Sequence, residues 1–173
     1  LVIGHWAYCI VNYCKIPKVI NLKQERLIMP LAVGTDAPAF TVKDTNGNTV
    51  SLSDFAGKTV VLYFYPKDDT PGCTKQACSF RDAKPEYAGK NVVVLGVSAD
   101  DEGSHQAFTQ KYNLNFPLLA DTNQTLIQAY DVDGGGYAKR VTYVIDPNGK
   151  IIYVDTSVNT TTHASDVLAA LGL

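Results

Sequence analysis

The spacing of hydrophobic and polar positions changes several times between residue 39 and the C-terminus, and each change predicts an element. Residues 40–42 and 49–52 are short alternating runs on either side of Asn46-Gly47. That pairing predicts an N-terminal β-hairpin. Ser53-Asp54-Phe55 predicts a capped helical turn before Gly57. Residues 59–65 read TVVLYFY, β-branched and aromatic without alternation. Such a run predicts a strand buried on both faces, at the centre of a sheet covered by helices. Pro66 ends it, a polar loop follows over 67–71, and a helix is expected from about residue 72 to 83, stopped near Pro85.

Residues 91–97, NVVVLGV, predict a second buried strand. Residues 104–112 suit a helix with Ala107, Phe108 and Tyr112 near one face. A short strand is expected at 117–120, a short helix at 123–130, and a mobile loop at Gly134-Gly135-Gly136. Residues 141–145 and 151–154 flank Asp146-Pro147-Asn148-Gly149, which predicts a second hairpin. Residues 162–171 close the chain as an amphipathic helix ended by Gly172. Strand, helix, strand, helix, then hairpin and helix is the order of a thioredoxin-like α/β domain.

Length and composition narrow the picture. The 173 residues suffice for one domain with a sizeable core, and 46% apolar with 18% charged residues is globular composition. A net charge of −2 gives no basic excess, so nucleic acid is not an expected partner. Four cysteines in a chain this long do not resemble a secreted disulfide scaffold, and a cytoplasmic protein is expected. Charge is uneven. Residues 1–28 carry Lys15, Lys18, Lys23 and Arg26 against Glu25, a net +3, which leaves −5 for the remainder. The apolar stretch 1–13 is too short to span a bilayer. Its positive charge follows the apolar run, the reverse of a signal peptide, and it lacks the Ser and Arg content of a transit peptide. The sole methionine, Met29, stands where the readable pattern begins and is the expected natural start, with residues 1–28 upstream or appended sequence and a processed or partner-binding extension as the rival reading. The expected division is therefore an extension over 1–28 and the domain over 29–173, with no membrane association.

The candidate chemistry lies after the first buried strand. Cys73 falls in the first turn of the expected helix, where unpaired N–H groups and the positive end of the helix dipole point. A thiolate is favoured there, and the thiolate is the nucleophile. On spacing alone, Cys73 and Cys78 could equally be small hydrophobes in a helix. The flanking residues favour chemistry. Thr70 can direct a hydroxyl at the sulfur or at a bound oxygen, and Pro66 and Pro71 stiffen the loop without adding a competing N–H.

P-x-x-x-T-x-x-C, here Pro66, Thr70 and Cys73, resembles the active-site motif of peroxiredoxins. The longer string YPKDDTPGCTKQACSFRD is similar to the bacterioferritin-comigratory-protein/PrxQ branch, in which a second Cys follows five residues after the first. The likeness runs from about residue 37 to the C-terminus and includes Ser104-His105, Phe108 and Arg140 before a strand. It implies a peroxiredoxin version of the thioredoxin-like fold, a central mixed sheet covered by helices with an N-terminal β-hairpin. It also implies a thiol peroxidase acting on hydrogen peroxide and organic hydroperoxides. Cys73 would be the peroxidatic nucleophile and Cys78 the resolving thiol, joined in an intramolecular disulfide that thioredoxin or a similar dithiol reductant recycles. Thr70 would hydrogen-bond the peroxide and the sulfur, Pro66 would shield the thiolate, and Arg140 would hold the thiolate and polarise the peroxide. No cofactor is implied, and a monomer is expected. Val141 stands where a small hydroxyl residue is common in the family. No Cys follows Cys78, which excludes a resolving Cys near the C-terminus.

Rival readings are less well carried. A thiol–disulfide oxidoreductase usually presents C-x-x-C, whereas four residues separate the cysteines here. A redox-sensing binding module could use the same fold without turnover. Cys9 and Cys14 repeat the C-x₄-C spacing, which raises a four-thiolate zinc site, but Cys73 and Cys78 have the better explanation above. His5, His105 and His163 show no ligand spacing, and His105 is expected on a helix surface or at a cap.

Overall fold

The computed structural model describes residues 29–173. The expected division at residue 28, and Cys9 and Cys14 with it, lie outside the described residues. Strands are β1 (Thr41–Asp44), β2 (Thr49–Ser51), β3 (Thr59–Phe64), β4 (Val92–Ser98), β5 (Leu118–Ala120), β6 (Val141–Ile145) and β7 (Ile151–Asp155). Helices are α1 (Pro71–Asp82), α2 (Lys84–Ala88), α3 (Glu102–Tyr112), α4 (Thr125–Ala129) and α5 (His163–Ala170). The strands form one mixed sheet in the order β2-β1-β5-β4-β3-β6-β7. β3 lies at its middle, parallel to β4 with Leu62 opposite Leu95, and antiparallel to β6 with Leu62 opposite Tyr143. The N-terminal hairpin joins this sheet because β1 pairs with β5, Lys43 opposite Ala120.

The unbroken apolar run of β3 is explained by its place. Val60, Leu62 and Phe64 pack on one side with Leu95, Val97, Leu126, Ile127, Tyr130 and Tyr143. Val61 and Tyr63, with Tyr65 just beyond the strand, pack on the other with Cys73, Ala77, Phe80, Tyr87, Phe108 and Val167. Two-residue alternation divides the run between two cores. No helix among the described residues is long and apolar enough to cross a membrane.

Several boundaries differ from expectation, each for a local reason. The turn after β2 is a 3₁₀ segment over Leu52–Phe55 that begins one residue after Ser51, whose backbone N–H donates to Asp54 Oδ2 at 2.8 Å. Asp101 caps α3, its Oδ1 accepting from Ser104 N at 2.8 Å, so that helix starts at Glu102. Pro85 does not end a helix. α1 stops at Asp82, and Pro85 sits in the first turn of α2, where a missing N–H costs nothing. The loop at 134–136 is folded as a hydrogen-bonded turn. Gly134 N donates to Tyr137 O at 2.8 Å and Gly135 N to Asp133 Oδ1 at 2.8 Å.

Candidate active site

The site is assembled where β3 ends and α1 begins. Pro66, half-buried, follows the strand, and the loop to Thr70 is fixed from both sides. The buried Asp68 accepts from Tyr65 Oη at 2.7 Å and Ser104 Oγ at 2.7 Å, and lies 2.8 Å from His105 Nδ1. Its backbone N–H donates to Asp100 Oδ2 at 2.9 Å. Burial pushes the Asp68 carboxyl up, but the bonds from His105, Tyr65 and Ser104 outweigh it and hold the group below the usual carboxylate range. Asp69, exposed and in the left-handed region at φ 53°, accepts from Lys111 Nζ and Tyr112 Oη at 2.6 Å each. Two consecutive acids thus pin the loop to α3.

Thr70 is the N-cap residue of α1, yet it spends its hydroxyl on Lys67 O at 3.1 Å and not on the helix. Since that proton is committed to Lys67 O, the Thr70 hydroxyl oxygen is left as an acceptor, which suits a peroxide O–H and not a thiolate sulfur. The first-turn N–H groups therefore keep no side-chain cap. Cys73, the third residue of α1, is buried in that turn with a free thiol. Arg140, half-buried just ahead of β6, donates from Nη2 to Cys73 Sγ at 3.2 Å. Gly72 makes room for it, because a Cβ there would lie 3.3 Å from Arg140 Nη2. Cys78 is partly exposed, also a free thiol, on the same uninterrupted helix.

The sequence-predicted residues therefore divide. Cys73 and Arg140, 67 positions apart, are brought into contact. Thr70 and Pro66 flank the turn, and Cys78 lies further along α1. His105 corrects its expected place at a surface or cap. It is fully buried, with Nδ1 on Asp68 and Nε2 3.2 Å from Leu119 O. Its signal was adjacency to Ser104, since two neighbouring polar residues reach one carboxylate. Gln76 was not singled out from the sequence, and His163 was noted only as lacking ligand spacing. Gln76 stands one turn after Cys73 and accepts from Arg140 Nη1 through Oε1, while its Nε2 lies 3.0 Å from His163 Nδ1. The i+3 spacing on a helix could have found Gln76. His163 is reached only through the docking of α5 on α1.

Around the sulfur the walls are aromatic. Tyr63 stacks on Phe80 at 5.0 Å and on Tyr65 at 5.5 Å. Burial first, and the neighbouring Cys73 second, push the Tyr63 phenol well above its ordinary range, so it stays protonated. The arrangement presents a buried thiol to a helix N-terminus and a guanidinium, which suits nucleophilic attack by sulfur.

Comparison with known proteins finds relatives of the chain. The AhpC/TSA family model matches residues 33–154. The chain is 41% identical over 151 residues to peroxiredoxin Bcp of Bacillus subtilis, covering 83% of this chain and 96% of that protein. It is 49% identical over 124 residues to the chloroplastic peroxiredoxin Q of Triticum aestivum, covering 70% of this chain and 57% of that longer protein. A structure of the Xanthomonas campestris bacterioferritin comigratory protein, described for its alkyl peroxide reduction activity, superposes with a TM-score of 0.75. It is 33% identical and covers 82% of this chain and 98% of its own.

Proposed function

The chain belongs to the AhpC/TSA family, with Bcp and Q-type peroxiredoxins as relatives, and is a thiol-dependent peroxidase; within that activity we propose that Cys73 is the attacking thiol and Cys78 the resolving one. The observation that carries this reading is the 3.2 Å bond from Arg140 to Cys73 Sγ in the first turn of α1. A guanidinium cannot give up its charge, so it stabilises the thiolate over the thiol.

The steps follow from the groups present. The Cys73 thiolate attacks one peroxide oxygen, the O–O bond breaks, and the departing oxygen takes a proton to leave as water or an alcohol. Sulfur is oxidised to sulfenic acid and the peroxide is reduced. Arg140 stabilises charge on the sulfur and on the departing oxygen. Thr70, its proton committed to Lys67, accepts from the peroxide O–H and orients it. Pro66 limits water at the sulfur. Cys78 thiolate then attacks the Cys73 sulfur, an S–S bond forms, and hydroxide leaves as water with a proton. An external dithiol such as thioredoxin returns two electrons by exchange. Hydrogen peroxide and organic hydroperoxides are the proposed substrates, the latter supported by the Xanthomonas relative. Both thiols lie on one helix, so resolution needs no second copy, in keeping with the expected monomer.

Resolution also requires motion. α1 runs without a break through both cysteines. Residues five apart on an ideal helix have Cα atoms roughly 8.6 Å apart, beyond the limit of about 7 Å for a disulfide. The helix must unwind locally before the bond closes.

Peroxide consumption with added thioredoxin, and mass spectrometry of the peroxide-treated protein, test the reading. Cys73→Ser should abolish turnover, and Cys78→Ser should stop after one equivalent with sulfenic acid trapped on Cys73. Arg140→Ala should lower the thiolate fraction at neutral pH and slow the first reaction. Sulfenic acid located first on Cys78 would reverse the assignment.

A further inference from the structure

We propose that His163 is a positioning residue of the peroxidatic site, acting through Gln76 on Arg140. His163 opens α5, far in sequence from the thiol, and its ring is fully buried edge-on against Phe80 at 5.0 Å. The hydrogen-bond chemistry between it and the sulfur has only one consistent direction. A guanidinium donates and never accepts, so Gln76 must turn Oε1 to Arg140. Its Nε2, a donor, is then left facing His163 Nδ1 at 3.0 Å. Nδ1 must be bare, and the imidazole proton must sit on Nε2.

That proton has no hydrogen-bond acceptor. Nε2 is buried and unpaired, with Asp155 Oδ2 3.7 Å away, beyond hydrogen-bond reach. A buried N–H without a partner is costly, and the opposite tautomer would turn the nitrogen facing Asp155 into an acceptor. The arrangement is held by what Nδ1 does for Gln76. His163, Gln76, Arg140 and Cys73 thus form one hydrogen-bonded series from α5 to the sulfur, in which Gln76 donates to His163 and Arg140 donates to both Gln76 and Cys73.

The ring is kept in the state the series needs. Burial holds its pKa down at about 4, with Arg140 adding to the depression and Asp155 and Asp166 opposing it. Protonation would set an N–H of His163 against the N–H₂ of Gln76. The amide would flip and present N–H₂ to the guanidinium, and Arg140 would lose its anchor while still required at Cys73. A histidine that merely filled space would impose none of this order.

The inference rests on Cys73 as the attacking thiol, and its tests are readable apart from turnover. Nitrogen-15 NMR of ring-labelled wild type should show the Nε2–H tautomer for His163; the Nδ1–H tautomer would overturn the proposal. His163→Leu removes the acceptor, while His163→Asn restores one near the Nδ1 position. In His163→Leu the thiolate fraction of Cys73 at neutral pH should fall, and the rate of the first peroxide reaction should drop on the order of tenfold, the worth of one such bond. His163→Asn should recover most of both. A folded His163→Leu with wild-type near-ultraviolet dichroism, thiolate fraction and rate would sink the idea. Should His163→Leu fail to fold, Gln76→Glu decides. The carboxylate introduced by that change would still accept from Arg140 but could not donate, so His163 should acquire a proton on Nδ1, and an unchanged ring would count against the series. Wild type that consumes no peroxide would defeat the assignment of Cys73 but leave the tautomer and thiolate readings standing.

Discussion

Val60, Leu62 and Phe64 look onto one side of the sheet, Val61 and Tyr63 onto the other, and the two sides treat their polar atoms differently. On the first, Tyr130 Oη donates to Pro38 O at 2.9 Å and Tyr143 Oη to Tyr130 O at 2.8 Å. On the side that holds Cys73, Tyr63 Oη, Thr142 Oγ1 and His163 Nε2 are buried without partners. Thr109 Oγ1 is a fourth, on α3, whose Phe108 packs on the same side. Each such atom costs about 1–3 kcal/mol. Unpaired polar atoms in a packed core are uncommon. Two of them touch α1, the helix proposed to unwind: Tyr63 stacks on Phe80 and His163 lies edge-on to it. The thiol side also pairs some of its hydroxyls, Tyr65 Oη with Asp68 and Tyr87 Oη with Ala164 O at 2.7 Å each, but the buried unpaired side-chain atoms among the described residues are on that side.

The sharpest way to break that comparison is hydrogen exchange in the two redox forms. Upon oxidation, amides over residues 74–80 should lose protection by about a thousandfold or more, since local opening replaces near-global stability. Those of α4, on the paired side, should not change. Equal protection across 74–80 in both forms would remove the unwinding step. Loss of protection in α4 as well would show that the two sides open together.

Acid gives the next largest effect and acts on the thiol side through His163. Its folded pKa of about 4 lies below the ordinary 6.5. The unfolded chain therefore binds the proton first as pH falls, and stability is lost between about 6.5 and 4. The loss should be on the order of 3 kcal/mol. Urea midpoints across this range should flatten in His163→Asn. Asp68 has the same sign but a lower window. Its folded pKa is depressed, so its contribution is present above 3.8 and lost below it. A wild-type profile that stays level from pH 6.5 to 4 would mean that His163 is not held neutral by burial.

How much of this was legible in the sequence follows from the range of each interaction. β3 and β4 declared themselves because burial on both faces leaves no polar position. Cys73 was legible because the N-terminus of a helix after a buried strand is a local feature. Arg140 was reached only through resemblance, since no local rule connects it to a thiol 67 positions away. Asp68 and His105 were underread. A carboxylate in a polar loop and a histidine near a helix start both look solvated until the loop and α3 close on each other. Gln76 was within reach by helical spacing, and His163 was not, because its role depends on how α5 sits against α1. The form of the turn at 134–136 was not legible from its glycines alone, as Asp133 supplies the acceptor that closes it.

The smallest effect is the most direct test of the comparison, because one substitution is made on both sides. Tyr143→Phe removes a hydroxyl that donates to Tyr130 O at 2.8 Å and accepts from Leu31 N at 3.1 Å. Two backbone groups lose a partner, and stability should fall by about 1–2 kcal/mol. Tyr63→Phe removes a hydroxyl that has no partner. It packs close over Gly96, where a Cβ would come within 2.7 Å of Tyr63 Oη, so the space left behind is small. Relief of a buried unpaired hydroxyl should outweigh that gap, giving stability unchanged or raised by up to about 1 kcal/mol. Urea melts of the two variants read the difference. Opposite signs sharpen the contrast between the sides. If Tyr63→Phe is as damaging as Tyr143→Phe, the Tyr63 hydroxyl is being satisfied, and the thiol side is no looser than the other.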